Sequence, residues 1–207
     1  MSSKAEILKV AKPILFNTDM VQAILDGRKT VTRRLPSKRI EKKYLDYKEY
    51  VGMVAPPGST SLTEKQFYEQ YSPYRPGDYL YVRETWAPLH SNEGSDKVCG
   101  YMYKADSPED YWYGRWKPSI YMPKEAARIF LRVTDVRMER LQDMDKVEAI
   151  KEGIDPRCCV NLAHALTKYM KLLDSTIPKK DLDKYGWDAN PWVRAVEFER
   201  MAQDEIR

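Results

Sequence analysis

The apolar positions come in short clusters whose spacing switches between that of strands and that of helices. Pro13 to Asn17 reads as a short buried strand. Thr18 or Asp19 can cap the helix that follows, because a side-chain oxygen there accepts from an otherwise orphaned N–H. Met20, Ile24 and Leu25 are spaced to face a core, with Val21 and Ala23 beside them. Gly27 sits just past the last periodic residue, where a left-handed C′ position favours glycine. The helix therefore delivers Arg28 to Arg34 at its exit, and β-branched Thr30-Val31-Thr32 begins a strand.

From Pro36 to about Ser72 the chain is charged and Tyr-rich, with a Pro56-Pro57-Gly58-Ser59 break and a little helix around Thr63 to Tyr71. Pro76-Gly77-Asp78 is a turn signal, and Tyr79 to Trp86 has strong strand propensity. Val98 to Lys104 reads as another strand, and Ser107 to Trp116 as a Trp/Tyr-rich loop. Ile129 to Leu141 predicts a long strand, with Leu131, Val133, Asp135 and Arg137 on one face and Arg132, Thr134, Val136 and Met138 on the other. Asp143 or Asp145 caps a short helix closed by Gly153. Ala163 to Leu173 is helix-like and amphipathic, Lys179 to Gly186 a charged connector, and Pro191 to Phe198 a last strand. Short strands with small helices between them predict an α+β fold with a barrel-like sheet.

Composition narrows the class. At 207 residues, 43% of them hydrophobic, the chain suits one domain with a proper core, spanning 1–207. No stretch approaches a membrane span, and the charged start leads into no signal-type apolar run, so a soluble cytoplasmic protein is expected. Cys99, Cys158 and Cys159 make no closed disulfide framework, and with His90 and His164 they match no zinc spacing. No metal and no cofactor are expected. The net charge is only +4, yet Arg28, Lys29, Arg33, Arg34, Lys38, Arg39, Lys42 and Lys43 crowd one window. This is either a solvated basic face or a footprint for phosphate. Tyr (15) and Trp (5) outnumber Phe (4), which suits half-buried strand surfaces and base-stacking platforms alike.

The segment Ile24-Leu25-Asp26-Gly27-Arg28-Lys29-Thr30-Val31-Thr32-Arg33-Arg34 resembles the signature of the ASCH family, a helix ending in G-x-K-x-x-T. Four further pieces agree in order: Tyr74 to Val82 with its Arg75-Pro76-Gly77-Asp78, the long strand ending at Val136, the Ala149-Ile150-Lys151-Glu152-Gly153 helix end, and the strand from Trp192 to Phe198. The arrangement is similar to larger phage and prophage ASCH proteins. It covers about residues 13–200, with 36–72 and 155–186 as insertions. The resemblance implies a PUA-like small β-barrel that binds RNA or a modified nucleoside in a basic cleft. Small bacterial members deacetylate N4-acetylcytidine with a lysine, a threonine and a glutamate. Those roles fall on Lys29, Thr32 and Glu152, with a neighbouring arginine at Arg34.

The residues themselves permit that chemistry. Thr32 offers a hydroxyl that needs a base. Lys29, if desolvated among Arg28, Arg33 and Arg34, would lose charge more readily and act as that base. Glu152 would shuttle the proton and Arg34 would hold an oxyanion or a phosphate. Alternatives stand beside each role. Lys29 can cap the last carbonyls of its helix, Thr32 can be an ordinary strand residue, and Glu152 a solvated surface acid. Arg28, Arg33, Arg34, Arg83, Glu84 and Trp86 are candidate nucleic-acid contacts. Glu84 reads first as an ion pair with Arg83, and Trp86, Trp112 and Trp116 as packing residues or base stackers. Three functions remain open: recognition of RNA or a modified base, metal-independent amide hydrolysis, and a phage accessory role through protein contacts.

Overall fold

A computed structural model of the chain describes residues 4–56, 60–91, 97–107 and 114–206. The Pro57–Ser59 part of the expected break, and Trp112, lie outside the described residues. The elements run α1 (Lys4–Val10), β1 (Lys12–Leu15), α2 (Thr18–Leu25), β2 (Val31–Arg34), α3 (Lys38–Val54) and α4 (Glu64–Gln70). They continue with β3 (Tyr79–Arg83), β4 (Trp86–His90), β5 (Val98–Tyr103), β6 (Phe130–Arg140), α5 (Glu148–Lys151), α6 (Leu162–Thr176), α7 (Leu182–Tyr185) and β7 (Trp192–Arg200).

The fold is α+β. A five-stranded mixed sheet has the order β1-β3-β6-β7-β2, and β4-β5 form a second, two-stranded sheet. Among the described strands only β1 and β3 pair in parallel. The expected barrel is not closed by strand pairing: β1 and β2 stand at opposite edges of the sheet. They are bridged by a side chain instead, as Arg34 Nη2 on β2 donates to Leu15 O on β1 at 2.6 Å.

Apolar burial explains where the elements sit. Val21 and Ile24 of α2 pack with Leu80, Val82, Leu131, Val133, Val196 and Phe198 beneath one face of the sheet. The opposite face buries Val193 against Ala149 of α5 and Ala165 and Tyr169 of α6. The helix signals resolve as expected at α2's exit, where Gly27 has φ +75°. The cap itself is Asn17, whose side chain accepts from Met20 N, one residue before the predicted pair.

Four expectations change. The strand expected over 79–86 breaks after Arg83, because Glu84 turns inward to pair with Arg128 and Trp86 restarts in the second sheet. The alternation along β6 fails at Thr134, an extra residue where Val133 pairs Phe198 and Asp135 pairs Glu197. Beyond that bulge the faces exchange, so Val136 joins Val133 while Arg137 turns the other way. The 36–72 segment is mostly helix: Ser37 caps α3, and its apolar stripe is Ile40, Tyr44 and Tyr47, a helical spacing carried by weakly hydrophobic rings. Tyr44 and Tyr47 meet Phe67 of α4 at ring separations of 5.3 and 5.2 Å. The connector at 179–186 contains α7.

Candidate functional site

The edge of β2 organises the site. Phe198 N donates to Thr30 O, so even positions bond β7 while Val31 and Arg33 turn their backbone groups to the free edge. No described strand covers that edge. Two side chains do so instead: Lys29 Nζ donates to Val31 O at 2.9 Å, and Glu152 Oε1 accepts from Arg33 N at 2.8 Å. Glu152 Oε2 also accepts from Lys29 Nζ at 2.8 Å, and the Glu152 main-chain oxygen accepts from the same amine at 2.7 Å. The Lys29 side chain is 0% exposed and that of Glu152 5%.

Glycine makes this approach feasible. Thr30 N donates to Lys151 O and Arg28 Nη1 to Gly153 O, which docks the end of α5 onto the α2–β2 connection. Gly153 has φ +109°, and a Cβ there would lie 3.1 Å from that of Ala23 and 3.5 Å from Lys29.

Burial pulls Lys29 below the ordinary lysine range, while Glu152 pulls it back up. Its three N–H bonds meet three acceptors, the full capacity of an ammonium. All three acceptors belong to Val31 and Glu152, and none to Thr32. Nor does the amine cap α2: the Gln22, Ala23 and Ile24 carbonyls accept from backbone N–H groups, and the Leu25 carbonyl accepts from Arg200 Nη1.

The three predicted groups come together unequally. Thr32 and Glu152 line one cavity of about 250 Å³, while Lys29 stands behind Glu152 and outside its lining. The other walls are Leu15, Asn17, Met20, Arg33 and Arg34, roofed by Tyr169, Leu172, Leu173 and Thr176 of α6. The roof residues repeat at i, i+3, i+4 and i+7, so the second insertion presents one helical face to the site. That spacing was visible in the sequence as an amphipathic helix; its target was not. Burial, followed by the charge of Glu152, pushes the Tyr169 hydroxyl well above its ordinary range.

Arg33 and Arg34 both border the cavity, and Arg34 has its side chain on the Thr32 face. Burial lowers its pKa, with Glu152 opposing. It lies 5.3 Å from the Phe16 ring centroid. Arg33 faces the other way and closes a ring of ion pairs. Its Nε donates to Glu139 at 2.7 Å and its Nη2 to Glu148 at 2.5 Å, while Arg137 donates to the same two carboxylates at 2.8 and 2.7 Å. Burial opposes the charge on Arg33, but Glu152, Glu139 and Glu148 outweigh it and raise its pKa. Arg33 is consumed in structure. Arg28 is likewise held by Asp26 and Gly153 O.

The remaining candidates lie outside this cavity. Glu84 pairs with Arg128, not Arg83, through bonds of 2.9 and 3.0 Å, because its side chain points into the core and Arg83 reaches Ile120 O. Burial raises the Glu84 pKa and Arg128 restrains it. Trp86 is core, packed edge-on to Tyr101. Trp116 is half-buried, and the three cysteines are unbridged. A larger groove of about 420 Å³ lies between α3, α4 and α7. Its carboxylates are already engaged, Glu41 by Lys184 and Tyr185, Glu64 by Tyr68 and Trp192. No described helix is long and apolar enough to cross a membrane.

No family model and no curated protein matches the sequence. Among solved structures the chain is similar to protein EF3133 of Enterococcus faecalis V583, of family DUF984. The TM-score is 0.38 and the identity 12%, over 89% of this chain and 69% of that one.

Proposed function

We propose that the cavity beside Thr32, Arg34 and Glu152 recognises a nucleobase or nucleoside, the function expected of an ASCH-type protein. One observation carries this: a cavity of about 250 Å³ whose apolar walls, Leu15, Met20, Leu172 and Leu173, flank a polar group of Asn17, Thr32, Arg34 and Glu152. Apolar walls with a few placed polar groups are what small-ligand sites use to hold and orient a ligand. A carboxylate oxygen accepts more than one hydrogen bond, so Glu152 retains capacity for the amino edge of a cytosine-type base. Isothermal titration with cytidine and N4-acetylcytidine tests the reading. Leu172→Trp, which fills the cavity from α6, should weaken binding more than tenfold with the fold preserved; unchanged affinity would refute it.

A second reading is metal-independent deacylation, favoured by the Thr32 hydroxyl sharing its cavity with a carboxylate held by a buried ammonium. The Thr32 oxygen bonds to the acyl carbon as its proton passes to Glu152. The C–N bond then breaks, and that proton goes to the leaving nitrogen. Water, losing a proton to Glu152, adds to the acyl carbon of the threonine ester; the C–O bond to Thr32 breaks, Glu152 returns that proton to the Thr32 oxygen, and the carboxylic acid leaves. Lys29 holds the Glu152 side chain in place, in exchange for the base role expected of it from sequence. Mass spectrometry of N4-acetylcytidine incubated with the protein decides between the readings. Cytidine release that Thr32→Val abolishes while binding survives supports hydrolysis. Binding without release leaves recognition alone.

A further inference from the structure

The α2-side face of the sheet holds two arginines that no ion pair among the described residues balances. Strand register places Arg34 of β2 directly beside Arg194 of β7, with Met138 of β6 beyond, one step along from Thr32 and Val196. Arg194 is 3% exposed, and its Nε and Nη2 are buried without a hydrogen-bond partner among the described residues. No described carboxylate forms an ion pair with Arg34 or Arg194. Arg34 donates to the neutral Leu15 carbonyl, and Glu152 is committed to Lys29 and Arg33. Tyr74 is the polar neighbour: its hydroxyl donates to Pro13 O at 3.2 Å, and its pKa feels both guanidinium groups. The acids that could neutralise this side of the sheet, Glu139, Glu148 and Glu197, are spent on Arg33 and Arg137 across the other face.

Burying an unpaired guanidinium is strongly unfavourable, and arginine is the side chain whose planar fork matches a phosphate. We propose that Arg34 and Arg194 form an anion subsite adjoining the Thr32 cavity, which takes the phosphate of a phosphorylated nucleoside. Arg34 is the shared element, since it lines the cavity and flanks Arg194. The proposal rests on the nucleobase reading for its nucleoside half only; the phosphate half stands on the unpaired arginines.

Isothermal titration of the full chain with cytidine, cytidine 5′-monophosphate and inorganic phosphate separates the two. The monophosphate should bind at least tenfold tighter than cytidine, and phosphate alone should bind measurably. Arg194→Met should reduce the monophosphate's advantage to less than twofold with cytidine affinity unchanged. Arg194→Gln provides the same comparison if the methionine variant does not fold, and the wild-type phosphate titration needs no variant. Equal affinity for cytidine and its monophosphate would overturn the anion subsite and leave the nucleobase reading intact. Binding of phosphate and monophosphate but not cytidine, lost in the variant, would uphold the subsite and overturn the nucleobase reading. Binding of none of the three overturns both.

Discussion

Glu152→Gln is the sharpest perturbation of the β2 edge. The wild-type carboxylate accepts at both oxygens, from Lys29 Nζ on one side and from Arg33 N and Nη1 on the other. An amide has one acceptor and one donor end, so either orientation sets an N–H against Lys29 or against Arg33. Breaking a buried pair costs about 3–5 kcal/mol when nothing replaces the lost partner. Lys29 retains two neutral carbonyls, Val31 O and Glu152 O, which places the expected loss at the lower end, about 3 kcal/mol. For a chain of this size that corresponds to a fall of roughly 6–12 °C in melting temperature. Urea denaturation followed by tryptophan fluorescence measures it directly. The double variant Lys29→Met/Glu152→Met removes both charges and should cost clearly less than its single changes added together, because neither leaves the other's charge stranded. A Glu152→Gln protein within about 0.5 kcal/mol of wild type would refute the claim that this pair holds the sheet edge.

Three further outcomes follow from the geometry. Gly153→Ala should destabilise by about 2 kcal/mol in the same urea assay, since φ +109° strains any side chain and the new methyl crowds Ala23. Arg128→Met strands the buried Glu84, costing about 3 kcal/mol at neutral pH. Because burial already raises the Glu84 pKa, that loss should shrink as acid protonates it, and a pH-independent loss would contradict the assignment. Tyr103, pushed up to about 12 by burial, contributes stability that is complete below pH 10, the unfolded value, and lost as pH rises through its folded one. The gap between wild type and Tyr103→Phe, which lacks the 2.6 Å bond to Ala126 O, should therefore narrow from pH 10 to 12 in denaturation measurements.

What the sequence disclosed and what it withheld divide along the range of the interactions. The α2 exit, Gly27, β2 and the closing strand follow from residues within a few positions of one another, and local spacing marked them. The proximity of Lys29 to Glu152, 123 residues apart, came through a family-like pattern and not through spacing. Three features had no local signal. Glu84 finds Arg128 across 44 residues, where a sequence neighbour, Arg83, was the obvious partner. The Thr134 bulge swaps the faces of β6 without interrupting its strand propensity. Arg33 and Arg34 look equivalent in the basic window and both border the cavity, yet adjacent strand positions point to opposite faces, so Arg33 closes an ion-pair ring and Arg34 shares the face of Thr32.

Methyl-resolved NMR titration with N4-acetylcytidine tests the central claim most directly. A nucleoside seated beneath α6 should shift the methyl resonances of Leu15, Met20, Leu172 and Leu173 together, and leave Leu45 in the α3–α7 groove unmoved. Shifts confined to Leu45 and its surroundings, or no shift at millimolar nucleoside, would contradict it.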